Sequence, residues 1–401
     1  MSDNEKYKYS SKKEYSEINK NIVSKKQEEH EKKKDIIYYT INVNYYEEYE
    51  MYYLDIPKSY LSQITQLRQR KEDIFAKGKI LTFTSTDNKD FYFDAVIDST
   101  EDIYAYLVPI KEKYRYSDDL EGKYIVNERI GDLTYIRMKD AIEEFIEGNC
   151  CSKNIENFIL GKNVNYNSSH NTLKSIINYN KHYSTDIRNF SRLTYNQSVQ
   201  LDKIFYNEMN TIKLNANSDN RIICLIIYAI YQTRKKNKNK ILICSSSNSV
   251  ADSISLELLN MRKQVNNLKL LRIYAKNQEI IKRNRKLDRI SFHKLVKKKF
   301  RKNFYDKYEK REWIIKNHDI IISTCVNSYN DDIINTKFPF VIIIDANNAN
   351  ENECLIPLTL HSRHVVLISY EDDDNNNDND SEEINLYKRM RHLYPEIHIN
   401  I

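Results

Sequence analysis

An aspartate at the end of an apolar run is the first residue in this chain whose position suggests chemistry. Asp345 follows PFVIII (339–344), and a carboxylate that emerges from a buried strand can bind Mg²⁺ beside a phosphate group. The next residue is Ala346, so no neighbouring carboxylate is present to accept a proton from water. The pair therefore keeps a candidate metal ligand and lacks a candidate general base.

The segment that would hold phosphates is KLNANSDNRI (213–222). It contains no glycine, and Gly161 is the last glycine of the chain. A phosphate-binding loop needs glycine, because its backbone adopts positive φ and approaches the phosphate oxygens closely. In one register Arg221 replaces the phosphate-binding lysine and Ile222 replaces the magnesium-binding hydroxyl; in another, Asp219 takes the lysine position. Both registers predict a damaged nucleotide site.

Positive charge is concentrated in residues 276–316, which hold 16 Lys or Arg against 5 Asp or Glu, although the whole chain has a net charge of only +6. Aromatic residues lie among these cations. Lysine and arginine neutralise the nucleic-acid backbone, and aromatic rings stack on bases. The segment predicts either a phosphate-binding arm or a solvated, charged helical hairpin. Its candidate nucleic-acid contacts are Lys297, Lys298, Lys299 and Arg301.

The elements that would position these groups lie in residues 191–401. Continuous apolar runs alternate there with helical stretches, a pattern typical of strands buried on both faces of a parallel sheet. The runs are KILICSSS (240–247), DIIISTCV (319–326), PFVIIIDA (339–346) and RHVVLISY (363–370). We therefore predict an α/β domain over this range. The acidic run at 371–383 predicts a flexible loop within the domain.

The first 190 residues predict three further regions. Residues 1–35 are rich in Lys, Glu and Ser and poor in apolar positions, so we expect a disordered or frayed tail. Tyrosine-rich, β-branched runs within residues 36–136 predict a small barrel or sandwich of short strands. Residues 137–190 predict a helical return to the core, followed by an Asn- and Ser-rich linker.

Composition narrows the class of protein. The sequence contains no run of about 18 apolar residues and no apolar signal-peptide core at its N-terminus, so we expect a cytoplasmic or nuclear protein. The six cysteines form neither C-x-x-C pairs nor a zinc-binding spacing, and buried free thiols are expected.

From about residue 80 to its end, the chain resembles the helicase core of the up-frameshift (regulator of nonsense transcripts) RNA helicases and their superfamily 1 relatives. LTYNQ (193–197) is similar to the first motif of that core, and ILICSSSNSVAD (241–252) to the motif that grips single-stranded nucleic acid. DIIISTCV (319–326) resembles the next strand motif. The most specific match is FPFVIIIDANNANENECLIPL (338–358), which resembles the Walker B strand and its E-C-hydrophobic-hydrophobic-P tail.

This resemblance implies a RecA-like domain of the P-loop NTPase type, preceded by an inserted small β-barrel that contacts nucleic acid. The positions that match nucleic-acid-binding motifs are Ser247, Asn248, Asp252 and Thr324. For Ser247 an ordinary helix N-cap remains the alternative. The positions that match nucleotide contacts, here vestigial, are Gln197, Arg221 and Asp345, with Asp345 also the vestigial Mg²⁺ ligand. Ala346 occupies the position of the general-base glutamate, so no catalytic residue is predicted.

Two further departures from the family pattern concern the rest of the ATP site. The family's G-D-x-x-Q motif reads Ser369 to Asp373 here, without its phosphate-sensing glutamine. The sequence NLYKRMRHLYPEIHINI (385–401) stands where a second RecA-like domain, which supplies arginines to the ATP site, should begin.

Three functions follow as hypotheses. The first is a pseudo-helicase that binds RNA or single-stranded nucleic acid without productive ATP hydrolysis. The second is an ATP-dependent helicase whose divergent site still works, and the third is a protein-interaction scaffold. No cofactor is expected, or ATP and Mg²⁺ if the divergent site still binds nucleotide. The expected partners are RNA or single-stranded nucleic acid and proteins of an RNA-processing assembly, and no membrane.

Overall fold

The computed structural model describes most of the chain. The described residues are 7–34, 39–47, 51–69, 74–76, 79–88, 90–101, 103–110, 118–128, 132–166, 173–174, 195–215, 220–234, 239–262, 268–279, 284–299, 307–371 and 385–401. They form two compact units. The barrel unit comprises Ser24–Tyr135 and Ala275–Asn284. The sheet unit comprises Met1–Val23, Ile136–Tyr274 and Arg285–Ile401.

The barrel unit contains a closed, antiparallel barrel of six strands. The strands are β1 (Tyr39–Tyr46), β2 (Met51–Asp55), β3 (Ile80–Ser85), β4 (Tyr92–Glu101), β5 (Tyr104–Pro109) and β6 (Gly122–Glu128). They close in the order β1-β2-β5-β4-β3-β6. Alternate side chains fill the interior, where the rings of Phe83 and Phe93 stack with their centroids 4.8 Å apart. Of the barrel and the sandwich predicted from the sequence, the barrel is therefore confirmed.

The sheet unit contains a seven-stranded sheet in which every pair of neighbouring strands is parallel. Its strands are β7 (Met209–Asn215), β8 (Ile241–Ser245), β9 (Leu270–Arg272), β10 (Ile320–Thr324), β11 (Phe340–Ile344), β12 (His364–Glu371) and β13 (His398–Asn400). Their order is β13-β7-β12-β11-β8-β10-β9. Every residue of β8 and β11 is buried, as expected for strands covered on both faces. The predicted parallel α/β sheet is confirmed.

Helices connect these strands. They are α1 (Lys12–Lys34), α2 (Lys58–Leu61), α3 (Ile64–Gln69), α4 (Asp132–Glu147), α5 (Lys153–Leu160), α6 (Tyr195–Asp202), α7 (Asn220–Thr233), α8 (Asn248–Met261), α9 (Phe292–Lys299), α10 (Lys307–Lys316), α11 (Glu351–Leu358) and α12 (Leu386–Leu393). Short 3₁₀ helices occupy Lys203–Phe205, Lys276–Gln278, Arg285–Arg289, Val326–Ser328, Ala346–Asn348 and Pro395–Ile397. Among the described residues, none of the helices combines the length and apolar character that crossing a bilayer requires.

Helix α1 corrects the prediction of a disordered or frayed tail over residues 1–35. It forms because its few packing residues share one stripe: Tyr15, Asn19 and Val23 follow one another at four-residue intervals, and all three are buried. The ring of Tyr15 lies 5.2 Å from that of Phe145 in α4. A sparse apolar pattern with the period of a helix is thus sufficient to anchor the segment.

The helical return also differs from its predicted bounds. Helix α4 begins at Asp132, so the predicted boundary at residue 137 falls inside a helix. The return is two helices rather than one, because Gly148 and Asn149 adopt φ of 84° and 67°, which ends α4. Ser152 then caps α5, its Oγ accepting a hydrogen bond from the backbone N of Ile155 at 3.2 Å. Most of the predicted linker, and the acidic run after residue 371, lie outside the described residues.

Candidate nucleic-acid and nucleotide sites

The carboxyl edge of the parallel sheet brings together the residues that follow β8, β10 and β11. The register pairs Ser245 with Thr324 and with Ile344, so these three strands end side by side. Ligands of open α/β sheets bind outside this edge, where connecting loops leave the strand ends. The structure therefore places Ser247, Thr324 and Asp345, all predicted from separate motifs, along one edge of the sheet.

Both carboxylate oxygens of Asp345 accept hydrogen bonds from neighbouring side chains. Ser246 Oγ donates to Oδ2 at 2.9 Å, and Asn348 Nδ2 donates to Oδ1 at 2.6 Å. Asp345 itself adopts φ 61° and ψ 40°, the left-handed conformation that aspartate tolerates better than most residues. Ala346 is completely buried and supplies no proton acceptor. The carboxylate is thus held in a protein network rather than presented beside a general base.

Of the segment 213–222, predicted to stand where phosphates would bind, residues 216–219 lie outside the described residues. Asn220 begins α7, accepts a hydrogen bond from the Tyr370 hydroxyl and donates from Nδ2 to Ser253 Oγ at 2.9 Å. The exposed Arg221 has its Nε 3.8 Å from Glu257 Oε1. Ile222, at the position of the magnesium-binding hydroxyl in one register, packs against the apolar core.

These described residues do not fit the Mg²⁺–ATP group that the family would hold here. The aspartate oxygens are already engaged by Ser246 and Asn348, and the next position is a buried alanine. In one of the two registers, the apolar Ile222 would stand at the position of the metal-binding hydroxyl. We derive no reaction step through nucleotide or metal. Within the described ranges no cluster of three or more His, Cys, Asp or Glu side chains is arranged to hold a metal ion.

Asn248 and Asp252, predicted to contact nucleic acid, both hold a buried arginine. Arg272 Nε donates to Asp252 Oδ1 at 2.9 Å, and Arg272 Nη2 donates to Asn248 Oδ1 at 2.8 Å. The two acceptors are four residues apart, so they lie on one face of α8 opposite β9. Tyr274 adds a hydrogen bond from its hydroxyl to Asp252 Oδ1 at 2.8 Å. The hydrogen-bonding groups that the motif assigns to nucleic acid are therefore used here inside the protein.

Arg272 is the residue at the centre of this cluster, and the sequence reasoning missed it. It is completely buried, its Nη1 donates to Ile273 O at 2.8 Å, and its guanidinium lies 4.1 Å from the centre of the Tyr274 ring. A charge within the apolar run LLRIYA (270–275) was the available signal, because an arginine buried in such a run requires acceptors. Its partners could not be named from the sequence.

Ser247 and Thr324 occupy different settings on the sheet edge. Ser247 caps α8, its Oγ accepting from the backbone N of Val250 at 3.3 Å, as the N-cap alternative predicted. Thr324 is half-buried at the carboxyl end of β10, and the backbone N of the next residue, Cys325, donates to Ser245 O at 2.9 Å. Ser246 was not among the predicted site residues, although it makes the contact with Asp345.

The basic segment is anchored by apolar residues and carries its charge outward. Leu287, Ile290 and Phe292 are buried. Arg311 of α10 binds Asp332 with both nitrogens, Nε to Oδ1 at 2.6 Å and Nη2 to Oδ2 at 2.5 Å. The exposed cations of its described part are Lys276, Arg285, Lys286, Arg289, Lys294, Lys297, Lys298 and Lys316, with the exposed Asp288 and Glu312 among them. The side chain of Lys299, and all of Arg301, lie outside the described residues.

Two other predictions can be placed only in part. Gln197 lies in α6, but its side chain falls outside the description. All six cysteines are free thiols, and all except Cys151 are buried, as expected from their sequence context. A hydrogen bond with Cys325, together with burial, raises the pKa of the Cys354 thiol, which keeps it protonated.

A closed barrel, a parallel seven-stranded sheet and this set of strand-end motifs are together consistent with a superfamily 1 helicase core. The profile of the family described as "AAA domain" matches residues 282–368. Over 204 residues the chain is 26% identical to "ATP-dependent helicase NAM7" of Saccharomyces cerevisiae, covering 45% of this chain and 20% of that protein. Over 205 residues it is 24% identical to "Regulator of nonsense transcripts 1" of Dictyostelium discoideum, covering 45% and 15%.

Over less than half of its length, the chain is therefore similar to helicases of the regulator of nonsense transcripts type. A homologue of the same name from Arabidopsis thaliana is 26% identical over 162 residues, which cover 35% of this chain and 12% of the homologue. The matched region of the chain spans a fifth or less of the length of each of these relatives.

Proposed function

We propose that this chain binds RNA or single-stranded nucleic acid without productive ATP hydrolysis, through a RecA-like sheet unit that no longer completes an ATP site. The observation that carries the proposal is the set of hydrogen bonds that engage the carboxylate of Asp345. Its two oxygens accept from Ser246 and Asn348, and the residue that follows it is a buried alanine.

Hydrolysis requires a group that orients the attacking water and accepts its proton. At the end of β11 the only carboxylate in the sequence Asp345-Ala346 is the one already hydrogen-bonded, and the alanine methyl can do neither. The glycine-free segment 213–222 adds an independent loss, because phosphate oxygens bind to backbone N–H groups that glycines make accessible. Two unrelated requirements of the reaction thus fail together.

Nucleic-acid binding is supported instead by the basic segment. Its described part exposes eight cations, and the sequence of residues 276–316 carries 16 basic against 5 acidic residues. Phosphate contacts of this kind need no nucleotide and no second domain, but they weaken steeply with salt. The proposal therefore assigns affinity mainly to these cations, and gives Asn248 and Asp252 the structural task of holding Arg272.

An ATP-dependent helicase is the second candidate, favoured by the name of the Saccharomyces cerevisiae relative. It would require ATP and Mg²⁺ to bind although the described residues do not fit them. A role beside the proteins of an RNA-processing assembly, in the cytoplasm or nucleus, belongs to the same proposal through that relationship. A scaffold without nucleic-acid binding is the outcome if neither activity is found.

The experiment measures binding of labelled single-stranded RNA with and without ATP and Mg²⁺, together with phosphate release. Binding that is indifferent to ATP, without phosphate release, supports the proposal. The variant Asp345→Asn separates true turnover from contamination, because a contaminating ATPase survives the substitution. Phosphate release that RNA stimulates and Asp345→Asn abolishes would overturn the proposal in favour of the helicase.

A further inference from the structure

The outer face of the barrel carries a row of tyrosine rings across three neighbouring strands. Tyr46 of β1, Tyr53 of β2 and Tyr104 of β5 meet in two edge-to-face contacts, with ring centroids 6.4 Å and 5.7 Å apart. Tyr46 is 44% exposed and Tyr104 is 37% exposed. Edge-to-face packing fixes the orientation of each ring, and it leaves ring surface open to solvent. We call these three residues the tyrosine row.

Strand register places a carboxylate on each side of the last ring in this row. Tyr104 pairs with Asp55 of β2 on one side and with Glu101 of β4 on the other. Both acidic residues are exposed. Because neighbouring strands lie about 4.8 Å apart, the two carboxylates flank the ring at a separation of about 10 Å between strand positions. A cation that lies over the ring can reach either carboxylate.

This arrangement suits one side chain best. A guanidinium is planar, stacks on an aromatic face and donates two parallel hydrogen bonds to a carboxylate, whereas the compact, strongly hydrated ammonium of lysine does not stack. The wider charge agrees with a cationic partner, since residues 36–136 contain 12 Lys or Arg against 18 Asp or Glu. The same charge opposes a phosphate backbone, so stacking of bases on this face would have to overcome repulsion.

We propose that the tyrosine row, with Asp55 and Glu101, is a docking surface for an arginine-containing segment of a protein partner. An arginine of that segment stacks on Tyr104 between the two carboxylates, and neighbouring residues of the segment lie along Tyr53 and Tyr46. This assignment is independent of nucleic-acid binding by the basic segment, because it concerns other residues and the opposite charge.

The test uses the full chain and a fluorescent peptide of alternating glycine and arginine, with anisotropy as the readout. The unmodified chain binds this peptide, and the same peptide with citrulline in place of arginine binds at least about fivefold more weakly, because the planar group is retained but the charge is lost. Tyr104→Ala weakens binding of the arginine peptide by about fivefold or more, and so does the double variant Asp55→Asn with Glu101→Gln.

Tyr92→Ala is the matched control, since Tyr92 is 59% exposed on β4 but lies outside the row. Far-ultraviolet circular dichroism verifies that each variant is folded. Equal affinity for the arginine and citrulline peptides, or equal effects of Tyr104→Ala and Tyr92→Ala, would overturn the proposal. Loss of single-stranded RNA binding in Tyr104→Ala with no loss of peptide binding would also overturn it, and would assign the row to bases.

Discussion

The guanidinium of Arg272 and the carboxylate of Asp252 form an ion pair between β9 and α8, with Nε 2.9 Å from Oδ1. The arginine side chain is completely buried, whereas the side chain of Asp252 is 19% exposed. Asn248 accepts a second hydrogen bond from the same guanidinium. The pair therefore fixes the start of α8 against β9, the strand at one edge of the sheet.

Removing this arginine should cost more than removing an ordinary buried side chain. In Arg272→Met the carboxylate of Asp252 loses its cationic partner and the amide oxygen of Asn248 loses the guanidinium donor, and breaking a buried pair costs about 3–5 kcal/mol. Urea unfolding followed by circular dichroism measures the loss. Arg272→Lys is the control, because it restores the charge without the fork and should recover only part of the stability. A loss below about 1 kcal/mol for Arg272→Met would contradict this account.

Gly161 is required by its backbone and by a close neighbour. It ends α5 with φ 70°, and an added Cβ would stand 3.0 Å from the Cα of Lys8. Gly161→Ala should therefore cost about 1–3 kcal/mol of unfolding free energy. Gly148→Ala is the matched control, because φ is 84° but its nearest neighbour is a side-chain atom, Lys12 Nζ, at 3.4 Å.

The steric part of this cost can be isolated. If contact with Lys8 matters, Gly161→Ala is more destabilising than Gly148→Ala in the full chain, and deletion of residues 1–10 removes the difference. Equal costs in both backgrounds would mean that only backbone strain is at work at the two positions.

The sequence predicts a strand when a run of consecutive apolar residues marks it, and fails when the strand is too short to show a pattern. The five-residue strands β8, β10 and β11 were found because each begins with at least three consecutive apolar, buried residues, which leaves a recognisable run. The three-residue strands β9 and β13 were missed, because so short a segment carries no period, and its pairing is decided by distant strands.

The candidate site shows the same limit. Asp345 and Ala346 could be predicted, because a motif fixes their place at the end of a strand. The engagement of Asn248 and Asp252 by Arg272 could not, because it joins a helix to a residue 20 or more positions away whose orientation depends on the assembled sheet. Motif matching therefore found the positions, whereas their contacts with Arg272 become visible only in the folded chain.

His364 should make the folded state sensitive to acid. Burial lowers its pKa to about 4, against the 6.5 expected in the unfolded chain, and its Nε2 donates to Ile204 O at 2.8 Å. Between these values the unfolded state binds the extra proton, so stability is fully present above pH 6.5 and falls as the pH drops towards 4. The total is about 3 kcal/mol, from roughly 1.36 kcal/mol for each unit of pKa.

The measurement is urea unfolding at several values between pH 7 and pH 4 for the wild type and His364→Gln. The glutamine can still donate to Ile204 O but does not titrate, so its stability should fall less steeply over this interval. His392→Gln, at an exposed histidine, is the control and should follow the wild type. Parallel curves for all three proteins would show that His364 is not the acid-sensitive group.

Neutralising two cations of the basic segment should change the salt dependence of RNA binding by a defined amount. Each phosphate contact with a single strand contributes about 0.7 to the slope of log K against log salt, so Lys297→Gln with Lys298→Gln should reduce that slope by about 1.4. Lys162→Gln with Lys337→Gln removes the same charge from exposed positions elsewhere in the sheet unit. If long-range charge alone drives binding, the two double variants weaken it equally; if α9 contacts the backbone, only the first changes the slope.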